Sequence, residues 1–304
     1  MFGGLTCCAA AVPGRNPPGG GVSRAAARAT LAGVDGGGGG SIVGARALIA
    51  YGLIGEVVAA LWPLGMDYMG TQAAALRAMG AASVAVVPCP TAERVSANAA
   101  RLRAALLADP RPAVLVAHSK GGLEALEALL DPAARARCLG LVAQGSPFFG
   151  SPVADAVAAS RALHGAARGA ARLLRIGDGG GLDDLTRAGR AAWWRAHGEA
   201  ARAALAEVPV ACVAAVLDDS ARGSDRRYLP LARWVEARGC GPNDGLVPLS
   251  SALLPGARHL VLRGVSHRGA VAGGRGRDPV GPLRRALAML GLLPADAAAA
   301  VGAA

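Results

Sequence analysis

Aromatic residues are scarce in this chain: three phenylalanines, three tyrosines and four tryptophans among 304 residues. A core of adequate size is available, since 53% of residues are apolar, but alanine inflates that figure and little of the core is aromatic. The length fits one large domain or two small ones. Also missing is any run of about twenty apolar residues without a charge, which argues against a membrane-spanning helix. The best candidate, Ile42 to Trp62, carries Arg46 and Glu56 and reads as a strand, a loop and the start of a helix. Lysine is almost absent too. Of 32 basic residues, all but Lys120 are arginine, scattered through alanine-rich helical segments with no basic block interleaved with aromatics. The net charge of +11 therefore reads as a bias of composition, and nucleic acid is not an expected partner. The six cysteines (Cys7, Cys8, Cys89, Cys138, Cys212 and Cys240) include no Cys-x-x-Cys pair and no Cys/His cluster with zinc spacing. They read mostly as buried small apolar residues, with a Cys212–Cys240 bridge left open.

Residues 1–40 differ from the rest. They hold Pro13, Pro17 and Pro18, a glycine run ending at Gly40, three arginines (Arg15, Arg24, Arg28) and no acidic residue before Asp35. Two readings fit: a transit peptide for an organelle, and a low-complexity leader. A secretory signal fits less well, because no positive charge precedes the short apolar stretch and Pro13 interrupts it. The compartment stays open between an organelle and the cytoplasm. An alanine-rich tail occupies about 293–304, leaving 41–292 for the fold.

Within that span Ala47–Tyr51, Ser83–Val87, Ala113–Val116, Leu139–Ala143, Val208–Val216 and Leu260–Leu262 read as strands. Thr71–Met79, Ser96–Leu107 and Leu123–Leu130 read as helices. Strands that are apolar on both faces and alternate with helices predict a mostly parallel sheet covered on both sides. Segments 154–175 and 184–206 are amphipathic, charged and too long for simple crossovers. They predict a helical insertion over one end of the sheet, at about 153–206.

The stretch that could carry chemistry is Ala117-His118-Ser119-Lys120-Gly121-Gly122, between a strand and a helix. A serine on a sharp strand-to-helix turn is a nucleophile elbow, and the residues two before and two after it must be small because the turn is strained. Ala117 stands where glycine is usual and adds only a methyl group. A serine nucleophile needs a base, and an acid that holds the base in one tautomer. Of the five histidines, His267 sits in a loop just past the last strand, where a base can reach the elbow. His118 points elsewhere on the turn and reads as structural; His259 lies at a strand start, and His164 and His197 in the inserted helices. Two acids compete: Asp218-Asp219, directly after the Val208–Val216 strand, and Asp244, in the turn-rich Gly241-Pro242-Asn243-Asp244-Gly245. An oxyanion hole takes one N–H from the residue after the nucleophile, Lys120. The other comes from the loop after an early strand, Tyr51-Gly52-Leu53-Ile54-Gly55, with Leu53 the natural donor.

With these residues in place, the chain resembles the bacterial-type triacylglycerol lipases and esterases of the α/β-hydrolase superfamily, from about Ala47 to His267. Tyr51-Gly52-Leu53 is similar to the family's His-Gly-x hole motif, with tyrosine for histidine. Asp67-Tyr68, followed by a helix and a strand, resembles the segment after it. The elbow matches the family's His-Ser-x-Gly-Gly. Gly145-Ser146-Pro147-Phe148-Phe149-Gly150-Ser151-Pro152 resembles its Gly-Ser-Pro-His-x-Gly-Ser loop, with Phe148 for histidine. Asn243-Asp244-Gly245-Leu246-Val247 and Gly264-Val265-Ser266-His267 resemble its acid and base loops, which moves the choice of acid to Asp244.

The resemblance implies an α/β-hydrolase fold whose helical insertion is a lid, a triad of Ser119, His267 and Asp244, and an oxyanion hole at Leu53 and Lys120. Tyr51, Phe148, Phe149, Trp193 and Trp194 are the expected substrate-binding residues. For the two tryptophans the competing reading is that they pack the insertion onto the body. Arg161, Arg168, Arg172 and Arg175 read as a solvated helix face, with attraction to anionic lipid as the alternative. The implied activity is hydrolysis of lipid or other apolar esters through an acyl-enzyme, with peripheral contact to a lipid surface and without a metal or organic cofactor. Acyl transfer on the same residues, and a non-catalytic binding protein that keeps the fold, are the alternatives. The Lys120 side chain, a cation opposing a helix dipole, either pairs with Glu124 one turn on or shapes the mouth of the site.

Overall fold

The computed structural model describes residues 40–53, 55–60, 67–274 and 276–293. The expected leader up to residue 39 and the tail from residue 294 lie outside the described residues. Six strands form one sheet: β1 (Arg46–Ala50), β2 (Ser83–Val86), β3 (Ala113–His118), β4 (Cys138–Gln144), β5 (Val210–Val216) and β6 (Arg258–Arg263). Their order is β2-β1-β3-β4-β5-β6, and every pairing is parallel. The strands match the six expected from apolar runs, within one or two residues at most ends. Helices supply the crossovers that parallel strands require. They are α1 (Gly55–Ala60), α2 (Gly70–Ala78), α3 (Val95–Leu107), α4 (Lys120–Ala128), the single turn α5 (Pro132–Arg135), α6 (Pro152–Ala159), α7 (Arg161–Leu173), α8 (Arg187–Glu207), α9 (Leu229–Glu236), the single turn α10 (Leu249–Ala252) and α11 (Val280–Met289).

Alternation along the strands sorts the core into two layers. In β3, Ala113, Leu115 and Ala117 face one layer with Leu102 and Leu106 of α3 and Leu123 and Leu126 of α4. Val114 and Val116 face the other, with Leu76 of α2 and Leu283 and Leu287 of α11. Leucine, valine and alanine fill both layers, with Phe148 the buried aromatic of one and Tyr68 that of the other among the described residues. The edge strand β6 instead carries exposed Arg258, His259 and Arg263, charges that discourage edge-to-edge pairing. Cys212 lies fully buried in β5 as a thiol rather than bridged to Cys240.

The segment between β4 and β5 is broken into helices by its own caps. Ser151 accepts hydrogen bonds from the N–H groups of Val153 and Ala154, Ser160 from Leu163, and Thr186 from Gly189. The second half of α8 buries Ala201 and Ala204, the latter in the layer formed by α3 and α4. It thus serves as the β4-to-β5 crossover, and the excursion proper comprises α6, α7 and the 3-10 turn at Gly180–Leu185.

Space around two glycines gives opposite predictions. A Cβ at Gly121 would lie 2.5 Å from the Ala50 carbonyl oxygen, whereas one at Gly169 of α7 meets nothing within 4 Å. Gly121→Ala is expected to destabilise by about 3 kcal/mol or more. Gly169→Ala is expected to stabilise by about 0.5–1 kcal/mol. Urea midpoints at unchanged m-value check both.

Candidate active site

The chain passes from β1 outward to β2 and back across β1 to β3, so the strand order reverses between β1 and β3. Ligands of open parallel sheets gather at the carboxyl ends of strands at such a point. Tyr51-Gly52 leaves β1 there, and Ser119 leaves β3 beside it.

Ser119 has φ 53° and ψ −124°, a left-handed backbone that costs a non-glycine residue about 1–3 kcal/mol. Its N–H donates to the Gln144 carbonyl at 2.8 Å, tying the turn to the end of β4. Gln144 is itself held by paired amide bonds of 2.8 and 3.0 Å to Gln72 of α2.

His267 follows β6. Its Nδ1 lies 2.7 Å from Asp244 Oδ2, and its backbone N–H donates to the Asp244 carbonyl at 2.8 Å. The other carboxylate oxygen, Oδ1, accepts the N–H groups of Leu246 (2.9 Å) and Val247 (2.7 Å). Asp244 is buried and so is His267. A buried carboxylate filled by three donors is a fixed acceptor, and its pairing places the imidazole proton on Nδ1 and leaves Nε2 as the basic nitrogen. Of the two acids open on sequence, the ring therefore meets Asp244. Asp218 accepts from Ser220 N–H at 3.0 Å, and Asp219 pairs with Arg233 at the surface. The loop carrying His267 is anchored by Asp225, which accepts from the Ser266 hydroxyl and pairs with Arg277 at 3.0 Å.

The Lys120 side chain is fully buried and pairs with Glu124, whose Oε1 also accepts from Asn98 Nδ2 at 2.8 Å. It therefore braces α4 against α3 and is not at an open mouth. Tyr51 is half-buried, edge-on to Tyr68 with ring centroids 5.1 Å apart. The Leu53 side chain packs against the small cluster of Ala92, Ala171 and Ile176, which joins the end of α7 to the region of the loop after β1. Phe148 was expected at a substrate wall, but its ring is fully buried in the core layer of α3 and α4. Phe149 is partly buried and stacks on Trp194 at 5.4 Å. Trp194 Nε1 donates to the Phe148 carbonyl and Trp193 Nε1 to Glu127 of α4, both at 2.8 Å. Packing of the insertion onto the body thus describes what the tryptophans touch.

No family model matches the chain, and no curated protein does. Solved structures resemble it. A carboxyl esterase from a metagenome superposes with a TM-score of 0.58 at 24% identity, covering 79% of this chain and 69% of that one. The mature form of a Bacillus licheniformis lipase gives 0.55 at 21% identity, over 77% and 89% of the two chains. Staphylococcus hyicus lipase gives 0.54 at 14%, over 79% and 91%. The chain has the α/β-hydrolase fold. At these identities the likeness is one of architecture.

Within this fold one set of contacts went unread in the sequence. His118 is buried, with Nδ1 2.6 Å from the Tyr68 hydroxyl and Nε2 3.1 Å from the His267 carbonyl oxygen. Nothing in local spacing signals it, because Tyr68 reaches His118 across fifty residues of sequence. Burial, and then the neighbouring His267, hold the His118 pKa well below its ordinary value of 6.5. The unfolded chain accordingly binds a proton there near pH 6.5 while the folded chain does not. Stability from neutral His118 is complete above that pH and falls as pH drops below it. Wild type is expected to lose up to about 1.4 kcal/mol per pH unit below about pH 6.5 from this group. His118→Gln should lack this component, so the gap between the two urea-derived stabilities narrows as pH falls.

Proposed function

We propose that the protein is a lipase-like serine carboxylic-ester hydrolase acting on lipid or other apolar esters. The observation that carries this reading is the buried His267–Asp244 pair at the end of the sheet where the strained turn presents Ser119. The His267 ring lies 4.7 Å from that of His118, the residue preceding the serine. In the proposed reaction Ser119 Oγ attacks the acyl carbonyl while His267 Nε2 takes its proton, and Asp244 holds the imidazolium that forms. The N–H groups of Leu53 and Lys120 receive the oxyanion, each worth roughly 3 kcal/mol in the transition state. The Gly52 N–H is already given to the Tyr68 hydroxyl at 3.0 Å, which favours Leu53 as the donor from that loop. His267 returns the proton to the departing alcohol, and water activated by the same nitrogen releases the acid from Ser119.

Preference for apolar esters draws on two features. The structural neighbours named above are a carboxyl esterase and lipases. Helix α7 and the turn after it expose Leu163, Leu173 and Leu174 (55%, 83% and 51%), while helical periodicity sets Arg161, Arg168, Arg172 and Arg175 on a different side from Leu163 and Leu174. An amphipathic helix of this kind suits a lipid–water boundary, its apolar side turned to acyl chains and the arginines of its other side adding attraction to anionic headgroups.

Ser119→Ala is expected to lower kcat on aryl esters by about a millionfold, and Asp244→Asn by about ten-thousandfold. A fluorophosphonate should label Ser119 in wild type only. Full hydrolysis by folded Ser119→Ala protein would sink the reading. Replacing Leu163 and Leu174 together by aspartate should weaken binding to phosphatidylglycerol vesicles by at least about tenfold, given about 1.5–3 kcal/mol per buried leucine. Unchanged vesicle binding in a sedimentation assay would remove α7 as the lipid-contacting face.

A further inference from the structure

We infer that Tyr68 and His118 are positioning residues, which hold the loop after β1 and the loop after β6 in mutual register through one hydrogen-bond chain. The inference rests on the ester-hydrolase reading above and gives those two loops a common support. The chain runs from the Gly52 N–H to the Tyr68 hydroxyl (3.0 Å), from Tyr68 to His118 Nδ1 (2.6 Å), and from His118 Nε2 to the His267 carbonyl (3.1 Å).

Its proton arrangement has a single solution. A carbonyl oxygen only accepts, so Nε2 of His118 carries the proton and donates to His267. In a neutral ring Nδ1 must then accept, so the Tyr68 hydroxyl donates to it. The hydroxyl oxygen is left to accept the Gly52 N–H. Tyr68, His118 and His267 are buried, and Tyr68 and His118 each have two partners in the chain, so removing either leaves unpaired polar atoms inside.

Both ends of the chain bear on the reacting groups. A Cβ built at Gly52 would lie 2.7 Å from Ser119 Cβ, so this loop runs against the serine. Tyr68 holds the Gly52 amide, and the Gly55 N–H holds the Gly52 carbonyl at 2.9 Å, so the peptide that carries the Leu53 N–H is restrained between the two. At the other end, His267 has its N–H bound to the Asp244 carbonyl and its own carbonyl bound to His118. Its backbone is fixed on both sides of the ring. Tyr68 and His118 take no part in proton transfer in the proposed reaction; they act through Leu53 and His267, whose ring lies 4.7 Å from that of His118.

Tyr68→Phe, which removes only the hydroxyl, is the direct test. Misplacing a reacting group by about 1 Å costs roughly a hundredfold in rate. Tyr68→Phe is therefore expected to lower kcat per fluorophosphonate-titrated site by about ten- to a hundredfold, with KM changed by less than about threefold. His118→Gln, which can still donate to the His267 carbonyl, should keep several-fold more activity than His118→Ala. The Tyr68→Phe/His118→Ala double variant should be little worse than His118→Ala alone, because the chain is already broken. A purely structural role would lower the melting temperature and the titratable fraction and leave kcat per site at the wild-type value, which would overturn the inference. Amide exchange separates this from failure of the enzymatic reading. If wild type neither hydrolyses esters nor is labelled, loss of protection in residues 50–53 and 264–268 of Tyr68→Phe, at unchanged global stability, supports the shared support of the loops. Unchanged protection refutes it.

Discussion

The turn after β3 passes so close to the end of β1 that there is no room between them for a side chain. The Ala50 and Tyr51 carbonyl oxygens would lie 2.5 and 2.8 Å from a Cβ at Gly121, and Ser146 Oγ 2.0 Å from one at Gly122. These close approaches, to the end of β1 and to the loop after β4, leave room for glycine alone at both positions beside the left-handed Ser119. The strain persists because the helix that follows it is deeply buried. Leu123 and Leu126 of α4 are fully covered, and each contributes about 1.5–3 kcal/mol of hydrophobic stabilisation. That exceeds the cost of one unfavourable backbone angle. Packing of α4 thus stabilises a turn that the local chain would not choose.

Polar groups inside the molecule restrain the same region. Lys120, Glu124 and Asn98 link the first turns of α4 and α3, Gln72 and Gln144 link α2 to the end of β4, and Asp225 links Ser266 to Arg277. Buried pairs of this kind add little net stability, since desolvation offsets their attraction. Their value is directional. An apolar core of alanine, valine and leucine tolerates small sliding of layers, whereas an amide or carboxylate bond fails beyond about 3.5 Å. With so few aromatic rings to interlock the layers, these polar contacts set the positions of the loops at the carboxyl end.

The fold was largely legible because its signals are local. Apolar runs marked β1 to β6, and small residues around Ser119 marked the turn. The acid was different: position after β5 pointed to Asp218 or Asp219 as readily as to Asp244, and only a family resemblance separated them. In three dimensions the separation is simple, since residues 218–243 carry the chain through α9 and back before Asp244 reaches His267. Phe148 shows the converse. A residue expected among the substrate-binding side chains has its ring in the core, and its N–H is tied to the carbonyls of Ser146 and Ser251. The roles of Tyr68 and Asp225 had no local signal at all. Each depends on a partner brought close only by completed sheet topology.

The arginine-rich composition acquires a physical meaning in the folded chain. The Arg46 guanidinium binds the carbonyls of Ala105, Leu106, Asp109 and Arg111 around the end of α3, and Arg135 binds those of Leu129 and Leu130 beyond α4. A planar cation with five donors can reach four carbonyls around a helix end, as Arg46 does, where a lysine has only three donors on one nitrogen. Arg190 does similar service inside the insertion, donating to the Phe148 carbonyl at 3.2 Å and lying 4.3 Å from the Trp193 ring centroid. Burial pushes its pKa down to about 10, still far above neutrality. Part of the positive charge is therefore structural and directed inward. The arginines of α7 are of another kind, set on an exposed helix beside uncovered leucines. Total charge alone could not separate these two groups of cations, one turned inward onto carbonyls and one set on an exposed helix.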